Sequence, residues 1–244
     1  MSTLELINNG ISTCSQRVRF VLEEKGLPYI DRRLDLPAGE HLSPEYLALN
    51  PNGTVPTLVH DGHVILESSV INEYLNELFP EVSLVPEHPA ERAHMRAWVQ
   101  HLDEVMTPAI RYPSFQQFFG GALRGMSNEE RRAFANRLPL RKDFVLEIGA
   151  NGFPAYKLDA AMERIQMSLS RMEAALTTTR WMAHDMFTLA DIAMMPSIVR
   201  LEDLGLASLW NERPQVTDWY QRLQARPAFA RTYGPGSRVG RGAN

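Results

Sequence analysis

A single cysteine in 244 residues is too few for an internal disulfide, a thiolate zinc site or a CxxC redox pair. Long apolar runs are also lacking, and none approaches the ~18 residues that a membrane span requires. Charge of one sign is not in excess. Twenty-five basic side chains against 29 acidic ones leave a net charge of −4. Such a chain has no global electrostatic reason to seek nucleic acid or an anionic membrane. The seven histidines show no HxxxH-type spacing, so no metal site is expected. The opening MSTLELINNG has no basic stretch leading into a long apolar one, so no secretory signal is expected, and these absences together favour the cytoplasm. What remains is 44% hydrophobic and 22% charged, the balance of an ordinary globular chain. Its length suits one large domain or two modest ones with ample core.

The two halves differ in period. Leu4, Leu6 and Ile7 form a short apolar strand, and from Ser12 the pattern turns helical, with Cys14, Val18, Val21 and Leu22 on one face. Gly26 and Pro28 stop that helix. Tyr29 to Leu34 reads as a second strand and Ser43 to Leu47 as a short helix. Asp61-Gly62 between two β-rich runs signals a hairpin, and a helix follows from about Ser68 to Phe79. Residues 1–80 therefore read as a small α/β domain. The proline-bearing stretch 81–89 is the linker. Residues 90–233 are expected to be all-helical, with the first helix interrupted around Tyr112-Pro113 and an irregular stretch over 120–155. The Gly-rich, basic residues 234–244 read as a flexible tail.

Two local features stand out. Thr188 at an N-cap with Asp191 three residues on forms a capping-box-like pair, and Phe187 with Ile192 forms a hydrophobic staple. Cys14 has two readings. It shares a face with Val18 and Leu22, as a buried free cysteine would, yet it lies in a first helical turn where a thiolate is stabilised.

The N-terminal runs Ser12-Thr13-Cys14-Ser15-Gln16-Arg17-Val18-Arg19, Asn50-Pro51-Asn52-Gly53-Thr54-Val55-Pro56 and Glu67-Ser68-Ser69-Val70-Ile71 resemble the cytosolic glutathione transferases. So do the later runs Thr188-Leu189-Ala190-Asp191-Ile192 and Arg226-Pro227-Ala228-Phe229. The resemblance covers nearly the whole chain. It implies a thioredoxin-like N-terminal domain that binds glutathione as co-substrate, and an all-α helical domain that supplies the pocket for an electrophile. It also implies a homodimer, with detoxification and aromatic-compound metabolism as the settings.

Glutathione is a thiol with a pKa near ~8.5, and lowering that by two units takes ~2.7 kcal/mol of preferential interaction with the thiolate. A hydroxyl donor at a helix N-terminus can supply it through a hydrogen bond and the helix dipole. Ser12, Thr13 and Ser15 all lie there, and spacing alone does not rank them. By resemblance, Ser12 holds the catalytic place of the serine-type classes. Ser-x-Cys-Ser also resembles the zeta class (maleylacetoacetate isomerases) and the reductive dehalogenases, in which a cysteine at the place of Cys14 forms a mixed disulfide with glutathione. Pro56 is cis by resemblance, turning Val55 toward the cysteinyl residue of glutathione. Glu67 and Ser68, with the helix amides, suit the γ-glutamyl end. His41 is similar to the phi-class residue that holds the glycyl carboxylate, with Leu42 where a lysine is frequent, and Thr54 replaces a frequent glutamine.

The electrophile pocket is expected from the helical half. Candidates are Trp98, His101, Tyr112 and Phe115 in an aromatic-rich stretch that also holds Phe118 and Phe119, with Arg111 available for an anionic group. The segment ending Asn151-Gly152-Phe153-Pro154 resembles bacterial β-aryl etherases. Arg200-Leu201-Glu202-Asp203-Leu204 and Glu212-Arg213-Pro214 resemble the dehalogenases. Ether cleavage, dehalogenation and isomerisation are thus the rival reactions. A non-catalytic binding protein with the same fold is the rival of another class.

Overall fold

The computed structural model describes residues 3–240. Strands β1 (Leu4–Asn8), β2 (Ile30–Arg33), β3 (Thr57–His60) and β4 (His63–Ile65) form one sheet in the order β2-β1-β3-β4. β1 pairs parallel to β2 and antiparallel to β3, which pairs antiparallel to β4. β1 is central, and its alternation serves both faces. Leu4 and Leu6 enter the main core, while Ile7 joins a smaller cluster with Leu34, Tyr46 and Val55. The β3–β4 hairpin turns at Asp61 and Gly62, both with positive φ, which the Asp-Gly pair tolerates.

Helices α1 (Thr13–Glu24), α2 (Pro44–Leu49) and α3 (Ser68–Leu78) complete the first unit. The second is helical throughout: α4 (Pro89–His101), α5 (Thr107–Ser114), α6 (Gly121–Gly125), α7 (Asn128–Ala135), α8 (Lys142–Leu146), α9 (Ala155–Thr178), α10 (Leu189–Asp203), α11 (Pro214–Gln224) and α12 (Pro227–Thr232). No helix among the described residues is long and apolar enough to cross a membrane. The expected break at Tyr112-Pro113 is absent, for α5 runs through Pro113. The disturbance lies instead in two π-helical turns, Leu102–Met106 and Phe115–Phe119, on either side. The stretch expected to be irregular forms α6 to α8. A satellite core of Leu123, Ala135, Val145, Ile148 and Phe153 holds them together.

α1 joins the units. Its residues Val18, Phe20, Val21 and Leu22 are buried, and it packs against α3, α10 and α12. Arg226 and Arg231 of the α12 segment pair with Glu24 and Glu23 of α1. The tail reading needs correction. Residues 234–240 are packed on the body: Gln16 Nε2 donates to the Ser237 carbonyl at 2.7 Å, Arg238 pairs with Glu202 at 2.8 Å and Asp203 at 2.6 Å, and Val239 is buried. Glycine permits this, since a Cβ on Gly10 would lie 2.6 Å from the Gly236 carbonyl oxygen. Composition suggested looseness where glycine serves close approach. The rest of the expected tail, 241–244, lies outside the described residues.

Asp191 organises the helical unit. Its Oδ2 accepts from the Thr188 N–H at 2.9 Å, while Thr188 Oγ1 accepts from the Ala190 N–H, so the expected capping interaction is present. Asp191 Oδ1 also accepts from the Met182 N–H and the Trp219 indole, each within 2.9 Å. Asp191→Ala removes the acceptor of four buried donors, the Thr188 hydroxyl included. It should destabilise the fold by about 3 kcal/mol, read as a lower midpoint in urea unfolding.

Candidate functional site

The loop from β1 to α1 is held from several sides. The Asn9 side chain donates to the Leu34 carbonyl and accepts from the Ile11 N–H. Arg19, buried in α1, donates to the Gly10 carbonyl at 2.8 Å, and Arg200, buried in α10, donates to the Ile11 carbonyl. The next residue, Ser12, is then the N-cap of α1, its hydroxyl accepting from the Ser15 N–H at 3.4 Å. Of the three hydroxyls, Ser15 is now set apart. Ser15 is fully buried and accepts from the Asn9 N–H, whereas Ser12 and Thr13 line an open cavity.

That cavity has a volume of about 540 Å³ and lies between the two units. From the first come Asn9, Ser12, Cys14, His41, Thr54 and Val55; from the second come Arg111, Phe115, Phe119, Phe144, Arg141 and Arg200. Cys14 is half-buried, with the Arg17 guanidinium 4.0 Å from its sulfur, so its side chain faces the cavity rather than the core. Thr54 and Val55 are presented by a tight turn. Tyr46 Oη and Asn50 Nδ2 both donate to the Thr54 carbonyl, and the Val55–Pro56 peptide is cis. Burial pushes the His41 pKa down, helped by the nearby Arg141 and Arg137, and its buried Nδ1 has no partner among the described residues.

The remaining expected residues lie outside the cavity wall. Glu67, with φ of 63°, accepts from the side chain of Asn52, which does line the cavity. Ser68 is buried and accepts from Arg17 Nε at 2.7 Å; Arg17 in turn pairs with Asp103 at 2.9 Å. Trp98, His101 and Tyr112 are corrections. Trp98 and His101 are buried and packed edge to face, His101 meets Ser168 Oγ at 3.0 Å, and the Arg171 guanidinium stacks on Trp98. Tyr112 donates to Glu147 and packs on Phe144 and Phe153. The π turn Leu102–Met106 divides Trp98 and His101 from Phe115: on a straight α-helix, at ~100° per residue, the three would share a face, but the turn adds a residue and rotates all that follows. Tyr112 follows the same turn as Phe115 and is set apart by its own position on α5.

Phe144, Arg141 and Arg200 were missed as cavity residues. Phe144 and Arg141 belong to the segment expected to be irregular. Arg200 carries a signal, being a cation that follows the largely apolar run 192–199 of α10.

Comparison with known proteins adds the following. The family model for the glutathione S-transferase N-terminal domain matches residues 11–78, and that for the C-terminal domain matches residues 132–227. The chain is 32% identical over 235 residues to Protein LigF of Sphingobium sp., covering 93% of this chain and 91% of that one. The crystal structure of β-etherase LigF superposes with a TM-score of 0.86 at 30% identity, covering 95% of this chain and 98% of that one. A tetrachloro-p-hydroquinone reductive dehalogenase of Sphingobium chlorophenolicum is 29% identical, covering 94% and 95%. Glutathione S-transferase GstB of Escherichia coli is 30% identical, covering 93% and 95%.

The role of Arg200 can be isolated. Arg200→Met removes the donor on the Ile11 carbonyl, so the amides of Ile11 and Ser12 should exchange with deuterium about tenfold faster. Unchanged protection would show that the loop holds itself.

Proposed function

The chain belongs to the glutathione S-transferase family, and on that premise we propose that it is a glutathione transferase whose Ser12 activates the thiolate. The observation that carries this reading is the Ser12 hydroxyl at the N-terminus of α1, open to a large cavity that no Asp or Glu lines. A thiolate beside Ser12 would receive a hydrogen bond and lie at the positive end of the helix dipole. It attacks a hydrophobic, aromatic electrophile seated against Phe115 and Phe144, with Arg111 in the wall.

Glutathione itself would lie along the first unit. His41 takes the glycyl carboxylate, Thr54 and Val55 offer backbone to the cysteinyl residue, and the α3 start at Glu67 and Ser68 receives the γ-glutamyl end. The family further supports a homodimer in the cytoplasm.

A second reading has its own support. Cys14 faces the same cavity beside Arg17, and a dehalogenase is among the relatives. In that reading Cys14 forms a mixed disulfide with glutathione during reductive dehalogenation. Similarity to a β-etherase supports aryl-ether cleavage as the corresponding variant of the Ser12 route.

Ser12→Ala should raise the pKa of bound glutathione by about two units, from about 6.5 to about 8.5, and lower kcat/KM with an aromatic halide about twentyfold at pH 7. Thiolate absorbance and steady-state rates read both. Loss of activity in Cys14→Ala instead, with a glutathione adduct on Cys14 in the parent by mass spectrometry, selects the second reading.

His41 gives a pH dependence with a definite sign. Its lowered pKa leaves it neutral at neutral pH, and it gains charge as pH falls. A carboxylate binds the charged form better. S-Methylglutathione, which has no titrating thiol, should therefore bind about three- to tenfold tighter near pH 5.5 than near pH 7.5. Calorimetry should find that dependence lost in His41→Gln.

A further inference from the structure

The charge of the cavity wall is not that of the chain. Acidic residues outnumber basic ones in the sequence, yet the wall holds Arg111, Arg141, Arg200 and His41 and no Asp or Glu. These cations differ in what they already do. Arg200 is engaged with the Ile11 carbonyl and Ser114 Oγ. His41 and Arg141 influence one another at the end assigned above to glutathione. Arg111 is different. Among the described residues its guanidinium has no carboxylate and no hydrogen-bond acceptor, only the Phe144 ring, 5.5 Å from its Cζ to the centroid.

A half-buried cation beside another arginine is stabilised when an anion joins it. Burial and repulsion from Arg141 push the Arg111 pKa down to about 10, offset in part by the nearby Cys14 thiol. The group still carries its charge at neutral pH, on the sulfur side of the cavity. Arg111 and Phe115 are four residues apart, and Phe144 faces them from α8, so a cation and two aromatic rings bound one part of the wall. A planar guanidinium suits a carboxylate, which it can hold through two parallel hydrogen bonds.

We propose that the electrophile is an aromatic acid, its ring against Phe115 and Phe144 and its carboxylate on Arg111. This rests on the transferase reading for its chemistry. The thiolate sulfur bonds to the activated ring carbon, and the leaving group departs with the bonding electron pair.

The test compares a matched pair of aryl chlorides, 4-chloro-3,5-dinitrobenzoate and neutral 2-chloro-1,3-dinitrobenzene. The ratio of kcat/KM, acid over neutral, is taken relative to the uncatalysed ratio in parent, Arg111→Gln and Arg111→Lys proteins. A preference for the acid that falls at least tenfold in Arg111→Gln and partly returns in Arg111→Lys supports the proposal. A ratio that does not move overturns it. Equal loss on both substrates with a raised pKa of bound glutathione also overturns it, because Arg111 would then serve the thiolate. If neither chloride reacts, the transferase reading fails. Calorimetric binding of 3,5-dinitrobenzoate against 1,3-dinitrobenzene then reads the same site. Preference for the acid that is lost in Arg111→Gln sustains the aromatic-acid pocket, and equal binding refutes it.

Discussion

Two buried guanidinium groups hold the carbonyls of one short loop, and the site depends on that arrangement. Arg19 takes the Gly10 carbonyl and Arg200 takes the Ile11 carbonyl. The first comes from α1 and the second from α10, so the loop before Ser12 is clamped between the two units. A buried carbonyl needs a donor, and a buried guanidinium needs acceptors, so each makes the other tolerable. With the carbonyls directed into protein, the chain emerges at Ser12 with the α1 amides and hydroxyl toward the cavity. The packed segment 234–240 closes over the same loop through Gln16 and the close approach of Gly236 to Gly10.

The opposite wall is shaped by irregularity in the helices. Two π turns flank α5, and the small core of α6 to α8 carries Phe144 and Arg141 to the cavity. π turns are uncommon and cluster at functional sites, where they redirect side chains without ending a helix. Here they separate Trp98 and His101, which stay in the core, from Phe115 and Phe119, which reach the cavity. The first unit thus supplies the place for a sulfur nucleophile, and the second supplies apolar walls and cations.

Much of the fold was legible. The Asp61-Gly62 turn, the alternation in β1 and the Thr188–Asp191 cap are local signals, each set by a few neighbouring residues and by backbone preferences. Ser12 is legible as one of three hydroxyls at a helix start, and the inward hydrogen bond of Ser15 leaves Ser12 and Thr13 facing the cavity. The aromatic stretch departs from its expected single face for a physical reason. Helical spacing assigns a face only if the helix has one period throughout, and a π turn leaves no plain mark in composition. The Gly-rich end was misread because glycine marks both loose chain and tight approach.

The sequence by itself determined the two-part architecture, the helix start carrying Ser12 and Cys14, and the capped helix at Thr188, since these rest on local periodicity and capping. Only the tertiary structure decided that Cys14 faces a cavity, that Trp98 and His101 do not, and that Arg111 stands there without a counter-ion among the described residues. Those facts depend on segments more than eighty residues apart meeting across an interface, and on the rotation that two π turns impose. No local pattern encodes either one.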